Sequence, residues 1–555
     1  MWKGGNDNQN GDQLRDEPPE PIPQDEGASR SSRKSYEPSR RSAEHREPTE
    51  RTRLLDHPRP PNSDGYLDPD DPAVSPYNLW TVRAMRYVSV LFLVISFLWW
   101  VLLLVSIFVS PPGLHTRGSG FFDFAYTCLT IGNLLVTTIF FVTPARGIRI
   151  AMAIEAGFLL VNMILIVSVN RLRLEEGWVG IASVVWAVLI AVWCILTDRV
   201  VAYGKREEEE RLTGRAETRR TLKEWLAVLA ATILTVIFII IAVLMTATLS
   251  MRAHDSTLKM YGDRILVDGD KYAVHLACVG NVSYTGKVKD ATVLLEAGEE
   301  PSEYDLEHWA YSSYKNGTIS RYCYWDRPGY AFSDNAPSPH SAGMSADAFS
   351  EALARAGEEG PWILVSAGTG SIVSRIFSSR HLKQVTGILL IDPLHEDLLH
   401  RLASPSRGFM LWAWGVISPL GTVRLAGALF KGRTREDRVY GRNAYQSGKY
   451  IKAQLQENLV ADSLSKNEVA SARNIQSSDT PLAIVSSGIE VARDSEWERK
   501  QKDLTTLTEN LVGWDVVRKA PHQVWQTLEG RTVMERRLRA VVKAAAKVKL
   551  AREEE

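Results

Sequence analysis

Five long apolar runs, at 87–110, 121–143, 150–169, 178–196 and 225–249, constrain this chain more than any other feature. Each holds about 20 residues or more, enough to cross about 30 Å of hydrocarbon at 1.5 Å per residue. In hydrocarbon the backbone amides must be satisfied inside the segment itself, so such runs fold as helices. An α-helical transmembrane bundle of about five spans is therefore expected over 87–249. Residues 1–80 are the opposite, rich in Pro, Ser, Arg, Glu and Asp and nearly empty of aromatic and branched residues. Such a stretch cannot bury enough apolar surface to offset its ordering entropy, and it reads as a disordered cytosolic tail. Its acidic start, with Asp7, Asp12, Asp16, Glu17 and Glu20, argues against a mitochondrial presequence.

Orientation follows from the basic residues in the short connections. With the tail inside, the inner flanks carry Arg83, Arg86, Arg146, Arg149 and eight further Lys or Arg between positions 199 and 223. The outer loops carry only Arg117, Arg171 and Arg173. Five crossings then set residues 250–555 on the lumenal or extracellular side. Asn281-Val282-Ser283 and Asn316-Gly317-Thr318 are glycosylation sequons in that part, which agrees with the charge rule. Glu155 lies inside the third run, where a carboxylate is by default a functional candidate. Its plainer reading is snorkelling to the interface or pairing with Arg146 or Arg149.

The net charge is zero, so no global field draws nucleic acid. Four cysteines without CxxC spacing suggest no metal site, and no cofactor motif is evident. From about residue 260 the pattern changes to short β-like runs separated by helical stretches. Strands are expected at 264–267, 272–278, 292–296, 319–324, 362–365, 387–391, 482–486 and 514–517, with Asp268-Gly269-Asp270 as a hairpin turn. The alternation of later strands with helix-sized segments implies βαβ units and a mostly parallel sheet.

Val274-His275-Leu276, Val293-Leu294-Leu295-Glu296-Ala297-Gly298 and Tyr324-Trp325-Asp326-Arg327-Pro328-Gly329-Tyr330 with Ser333-Asp334 resemble the α/β-hydrolase superfamily. Trp362-Ile363-Leu364-Val365 before a Gly-rich turn, Leu390-Ile391-Asp392-Pro393 and a late His522 continue that order. The resemblance covers about residues 260–550 and implies strand order 1-2-4-3-5-6-7-8, with a helical cap at about 397–478. It makes Cys278 and Cys323 neighbours on strands two and four, a pair able to form a disulfide on the exoplasmic side.

A serine hydrolase of this kind needs Gly-x-Ser-x-Gly on a strand-to-helix turn, with a later acid and a His. Here the turn reads Ser366-Ala367-Gly368-Thr369-Gly370, which leaves glycine at the nucleophile position. Ser366 and Ser371 flank the turn without occupying its apex, and the Thr369 amide is the expected oxyanion donor. Gly298-Glu299-Glu300 falls at the expected oxyanion loop, where carboxylates oppose a developing oxyanion. The resemblance makes His522 the positional equivalent of the catalytic histidine, with Asp392, Glu490 and Asp494 as candidate acids.

These readings describe a membrane-anchored pseudohydrolase with a binding or scaffolding role; an esterase or lipase with an atypical nucleophile is the alternative. The bilayer is one partner. A lipid or protein ligand is a second candidate, at the cap, where Phe409-Met410-Leu411-Trp412-Ala413-Trp414 and the amphipathic stretch 450–464 lie. Glu50-Arg51-Thr52-Arg53-Leu54-Leu55 resembles an acidic dileucine signal read by clathrin-adaptor complexes. The expected location is the endomembrane system, with the vacuolar or lysosomal membrane favoured; the plasma membrane and a mitochondrial membrane are alternatives.

Overall fold

A computed structural model describes residues 74–215, 221–285, 288–304 and 306–554. The expected disordered tail up to residue 73, with the Glu50–Leu55 element, lies outside the described residues. Among the described residues, five helices are long and apolar enough to cross a membrane: α1 (Trp80–Phe108), α2 (Phe121–Ile139), α3 (Arg146–Ser168), α4 (Asn170–Thr213) and α5 (Leu222–Asp255). α1, α3, α4 and α5 begin before their expected runs, and α4 and α5 also continue past them, because helices run on beyond the hydrocarbon once water can solvate their flanks; α2 instead ends four residues short, at Ile139. α4 is broken at Gly177, where φ is +61°, a conformation that glycine adopts cheaply. Ser89 and Ser96 on α1 accept hydrogen bonds from the indoles of Trp193 and Trp186 on α4, at 3.0 and 2.9 Å. The spacing of seven on both helices keeps these pairs on one seam, and small polar residues let the helices approach.

Glu155 neither snorkels nor pairs with the arginines at the start of its helix. It is 1% exposed and accepts a 2.7 Å hydrogen bond from Asn133 Nδ2 on α2. Arg146 and Arg149 are nine and six residues away, off its helical face, and Arg149 instead binds Asp198 at 2.8 Å.

The second half of the chain builds an eight-stranded sheet from β1 (Asp263–Val267), β2 (Tyr272–Val279), β3 (Thr292–Glu296), β4 (Tyr322–Asp326), β5 (Trp362–Ala367), β6 (Val385–Ile391), β7 (Leu482–Ser487) and β8 (Leu511–Val517). Its spatial order is β1-β2-β4-β3-β5-β6-β7-β8. β1 and β2 run antiparallel to their neighbours, and all pairs from β4 to β8 are parallel. The β1–β2 turn needs positive φ at Asp268, Gly269 and Asp270, residue types that accept it. β4 begins three residues later than the sequence suggests and runs on to Asp326, whose carboxylate lies 2.7 Å from His275 Nδ1 opposite it. β8 begins three residues early, with an irregularity between Leu511 and Gly513.

Continuous apolar strands need cover on both faces. α6 (Leu306–Lys315) lies on one face, and α7 (Ala342–Arg355) and α8 (Gly370–Arg380) lie on the other. Between β6 and β7 the chain forms the cap: α9 (Pro405–Ile417), α10 (Thr422–Phe430), α11 (Arg435–Val439), α12 (Gly448–Val460) and α13 (Lys466–Ile475). α14 (Gly488–Arg493) and α15 (Ser495–Leu504) follow β7, and α16 (Leu528–Glu554) closes the α6 face through Met534, Leu538 and Val541. Cys278 stands opposite Cys323 in the β2–β4 register, with the two sulfurs joined.

Cap and bundle share a core in which Leu411 and Trp412 of α9 and Ile451 and Leu455 of α12 meet Phe121 and Phe124 of α2. The α1–α2 loop also docks on the sheet domain: Ser110 N donates to Ser338 O, and Asn335 N donates to Arg117 O, both at 2.8 Å.

Candidate functional site

The site is built on the turn after β5. β5 is a fully buried strand, so its end is fixed, and the chain must reverse within two residues to start α8. Gly368 makes that reversal with φ at +46°. A Cβ there would lie 2.7 Å from Glu299 Oε2 and 2.9 Å from His522 Nε2, so the space above the apex is already filled.

What fills it is a chain of three side chains. His522, on the loop after β8, has Nδ1 2.6 Å from Asp392 Oδ2, and its Nε2 lies 3.2 Å from Glu299 Oε2. Asp392 directly follows β6, with φ at +38°, and is fully buried; its other oxygen accepts from Ser487 N at 3.0 Å and Trp497 Nε1 at 3.1 Å. The second Glu299 oxygen accepts from Thr369 N at 3.2 Å, the amide expected to serve an oxyanion. Glu299 thus takes up both the histidine and the oxyanion donor.

Burial by itself would lower the His522 basicity, but the Glu299 and Asp392 carboxylates on its two nitrogens raise it well above the ordinary value. Burial would raise Glu299, yet His522 and then Arg327 hold it down to about 2. The arrangement thus favours the imidazolium form of His522. An imidazolium has no lone pair with which to take a proton, so His522 in this state is not a general base.

Arg327, from the Asp-Arg-Pro-Gly segment, supports the turn from below. It donates to Gly298 O and pairs with Glu457 of the cap at 2.9 Å and with Glu296 at 3.3 Å. Burial pushes Glu296 up to about 8 despite that arginine. Tyr450 of α12 donates to Glu299 O, so cap and turn are tied at the backbone of the residue that fills the site. About 50 Å³ remains between cap and turn beside Thr369, well below the several hundred Å³ of ordinary ligand pockets.

Of the candidate acids, Asp392 joins His522, whereas Asp494 binds Arg401 at 2.7 Å and Glu490 lies 3.9 Å from Arg493. Neither of the latter two reaches the site, since both lie beyond the C-terminal end of β7 on α14 or its edge. Ser366 is fully buried, and Ser371 donates to Gly368 O at 2.7 Å. Asn281 and Asn316 are both exposed. The direct contact of Glu299 with His522 was not readable from the sequence; Gly298-Glu299-Glu300 gave the charge but not its direction. Arg327 was visible only as part of a motif.

The fold and site define an integral membrane protein carrying an α/β-hydrolase-like domain. Residues 50–278 match a family described as a region of unknown function (DUF2417). An uncharacterised protein of Schizosaccharomyces pombe is 32% identical over 515 residues, spanning 87% of this chain and 93% of that one. An uncharacterised vacuolar membrane protein of Saccharomyces cerevisiae is 26% identical over 368 residues, which is 56% of this chain and 57% of the relative. The chain belongs to the same family as that Schizosaccharomyces pombe protein. Among solved structures, an α/β hydrolase from a Medee basin deep-sea metagenome library is 12% identical, with TM-score 0.36 over 50% of this chain and 96% of its own. The haloalkane dehalogenase DbeA of Bradyrhizobium elkani is likewise 12% identical, with TM-score 0.36 over 52% of this chain and 98% of its own.

Proposed function

We propose that the sheet domain is a pseudohydrolase held on the lumenal face of a vacuolar-type membrane, where it binds or scaffolds rather than hydrolyses. The observation that carries this is Glu299 set over Gly368, with its oxygens on His522 Nε2 and Thr369 N. No hydroxyl stands at the apex, the histidine is held as a cation, and the oxyanion amide is spent on an internal carboxylate. Lumenal placement is supported by the basic-residue asymmetry, by the exposed Asn281 and Asn316 sequons, and by the Cys278–Cys323 pairing, which an oxidising compartment favours. The relatives named as vacuolar membrane proteins support the compartment. The cap supplies the membrane-facing surface: α9 and α10 form an apolar pair bent by 57°, exposing Phe409, Met410, Trp414, Leu429 and Phe430. Such a pair suits partial insertion into the leaflet beside the bundle.

The test is a fluorophosphonate probe on the purified full chain. No covalent labelling and no product burst are expected, because losing a triad nucleophile removes about six orders of magnitude in turnover. Gly368→Ser should also stay unlabelled, since the new side chain would meet Glu299 and His522. Stoichiometric labelling of the wild type at Ser366, Thr369 or Ser371 would establish the esterase or lipase alternative instead.

A further inference from the structure

A second cavity, of about 290 Å³, lies where the bundle meets the sheet domain. It is bounded by the ends of α2, α4 and α5 nearest that domain, by β1, by the 331–332 loop and by the cap. Six cations line it: Arg171, Arg252, Arg264, Arg424, Arg438 and Lys449. Four carboxylates pair with them. Glu175 meets Arg171, Arg252 and Lys449, while Glu176 meets Arg252. Asp255 meets Arg424 and Arg438, and Asp334 meets Arg264. The balance leaves two positive charges in a largely buried site. An uncompensated charge removed from water is strongly unfavourable, so the site as built calls for an anion.

The donors left over point the same way. Arg424 is 8% exposed, and its Nε has no hydrogen-bond partner. Arg264 Nε and the hydroxyl of Thr248, 2% exposed, are likewise unpartnered. Buried polar groups of folded proteins are almost always satisfied, so three idle donors around one cavity are unusual. Burial also pulls the Lys449 ammonium below its ordinary value, a penalty that a bound anion would relieve.

We propose that this cavity binds a phosphomonoester. A phosphomonoester carries about two negative charges at neutral pH and three acceptor oxygens, matching the surplus of charge and the idle donors. The remaining wall is apolar, with Phe122, Leu172, Met260 and Phe332, and the volume exceeds that needed for phosphate alone. The site lies at the membrane-domain boundary, so the phosphate can belong to a lipid headgroup or to a soluble anion. The proposal does not depend on the state of the Gly368 turn.

The test uses the full chain in phosphatidylcholine nanodiscs with arginine labelling by phenylglyoxal, mapped by mass spectrometry. One arm adds inorganic phosphate, and the other incorporates phosphatidylinositol 4-phosphate. At least one should slow labelling of Arg424 and Arg264 about 10-fold while the distant, half-exposed Arg401 is unchanged. Protection by the lipid alone identifies a headgroup, and protection by phosphate as well identifies a soluble anion. Protection in neither arm overturns the proposal. In a second measurement, Arg424→Gln should weaken the protecting probe about 10-fold, the effect of one charge-assisted hydrogen bond. Should that variant fail to fold, Thr248→Val removes a donor without changing charge and should weaken the probe several-fold. Unchanged affinity in the folded variant also overturns the proposal.

Discussion

Replacing Glu299 by Gln tests the assignment of charge at the turn through its pH dependence. Gln keeps the shape and can still accept from Thr369 N, so the change removes one interaction, the carboxylate–imidazolium contact at 3.2 Å. A hydrogen bond to a charged partner contributes about 1.5–3 kcal/mol when shielded. Here the side chains of His522 and Glu299 are 32% and 43% exposed, and solvent screening reduces this to about 1 kcal/mol. For a folding unit of this size, that corresponds to a fall in Tm of about 2 °C. The imidazole has an ordinary pKa of about 6.5 and is raised in the folded protein. Its contribution is therefore complete below about pH 6.5 and is lost as pH rises through the raised value. Glu299 is lowered to about 2, so its share is complete above about pH 4.3 and is lost only as pH falls toward 2. The variant's deficit should be full between about pH 4.5 and 6.5 and should shrink on the alkaline side. There, the Gln amide can also donate to the neutral Nε2. Thermal unfolding of both proteins by intrinsic fluorescence, across pH 5 to 10, measures this. A deficit that is constant with pH, or that grows with alkalinity, would refute the imidazolium assignment.

Three further outcomes are expected. Endoglycosidase treatment of microsomal protein should increase its mobility, and Asn281→Gln with Asn316→Gln should abolish the shift; protease digestion of the sheet domain from outside sealed vesicles would invert the orientation. Non-reducing peptide mapping should recover Cys278 and Cys323 as one linked species, and Cys323→Ala should lower stability by about 4 kcal/mol, the loop-closure entropy for a sequence separation of 45. Changing Leu54 and Leu55 to Ala should move a tagged protein off the vacuolar membrane, and unchanged placement would make the element a coincidence.

The bundle was legible because crossing hydrocarbon is a local demand. Each run must satisfy its own backbone, and length with apolarity is all that requires. The strands were legible for a related reason, since a sheet buried on both faces writes itself as short apolar runs such as Ile388-Leu389-Leu390-Ile391. Gly368 and His522 were found by their order along the chain, and the Cys278–Cys323 contact was expected from the strand order that the resemblance implied. Charge direction was not legible. For Glu155 the plainer expectation was snorkelling or pairing with Arg146 or Arg149, but the facing helix supplied Asn133, a partner 22 positions away that no local pattern contains.

The sequence by itself therefore determined the five spans, the sheet domain, the cap insertion and the glycine at the apex, each set by neighbours along the chain or by their order. Only the tertiary structure decided that Asp392 rather than Glu490 or Asp494 meets His522, that Glu299 turns inward over Gly368, and that six cations converge where bundle and sheet meet. Those outcomes depend on the directions of side chains from segments far apart along the chain, 223 residues for Glu299 and His522. Electrostatic energy falls with distance in space, and spacing along the chain does not encode that distance.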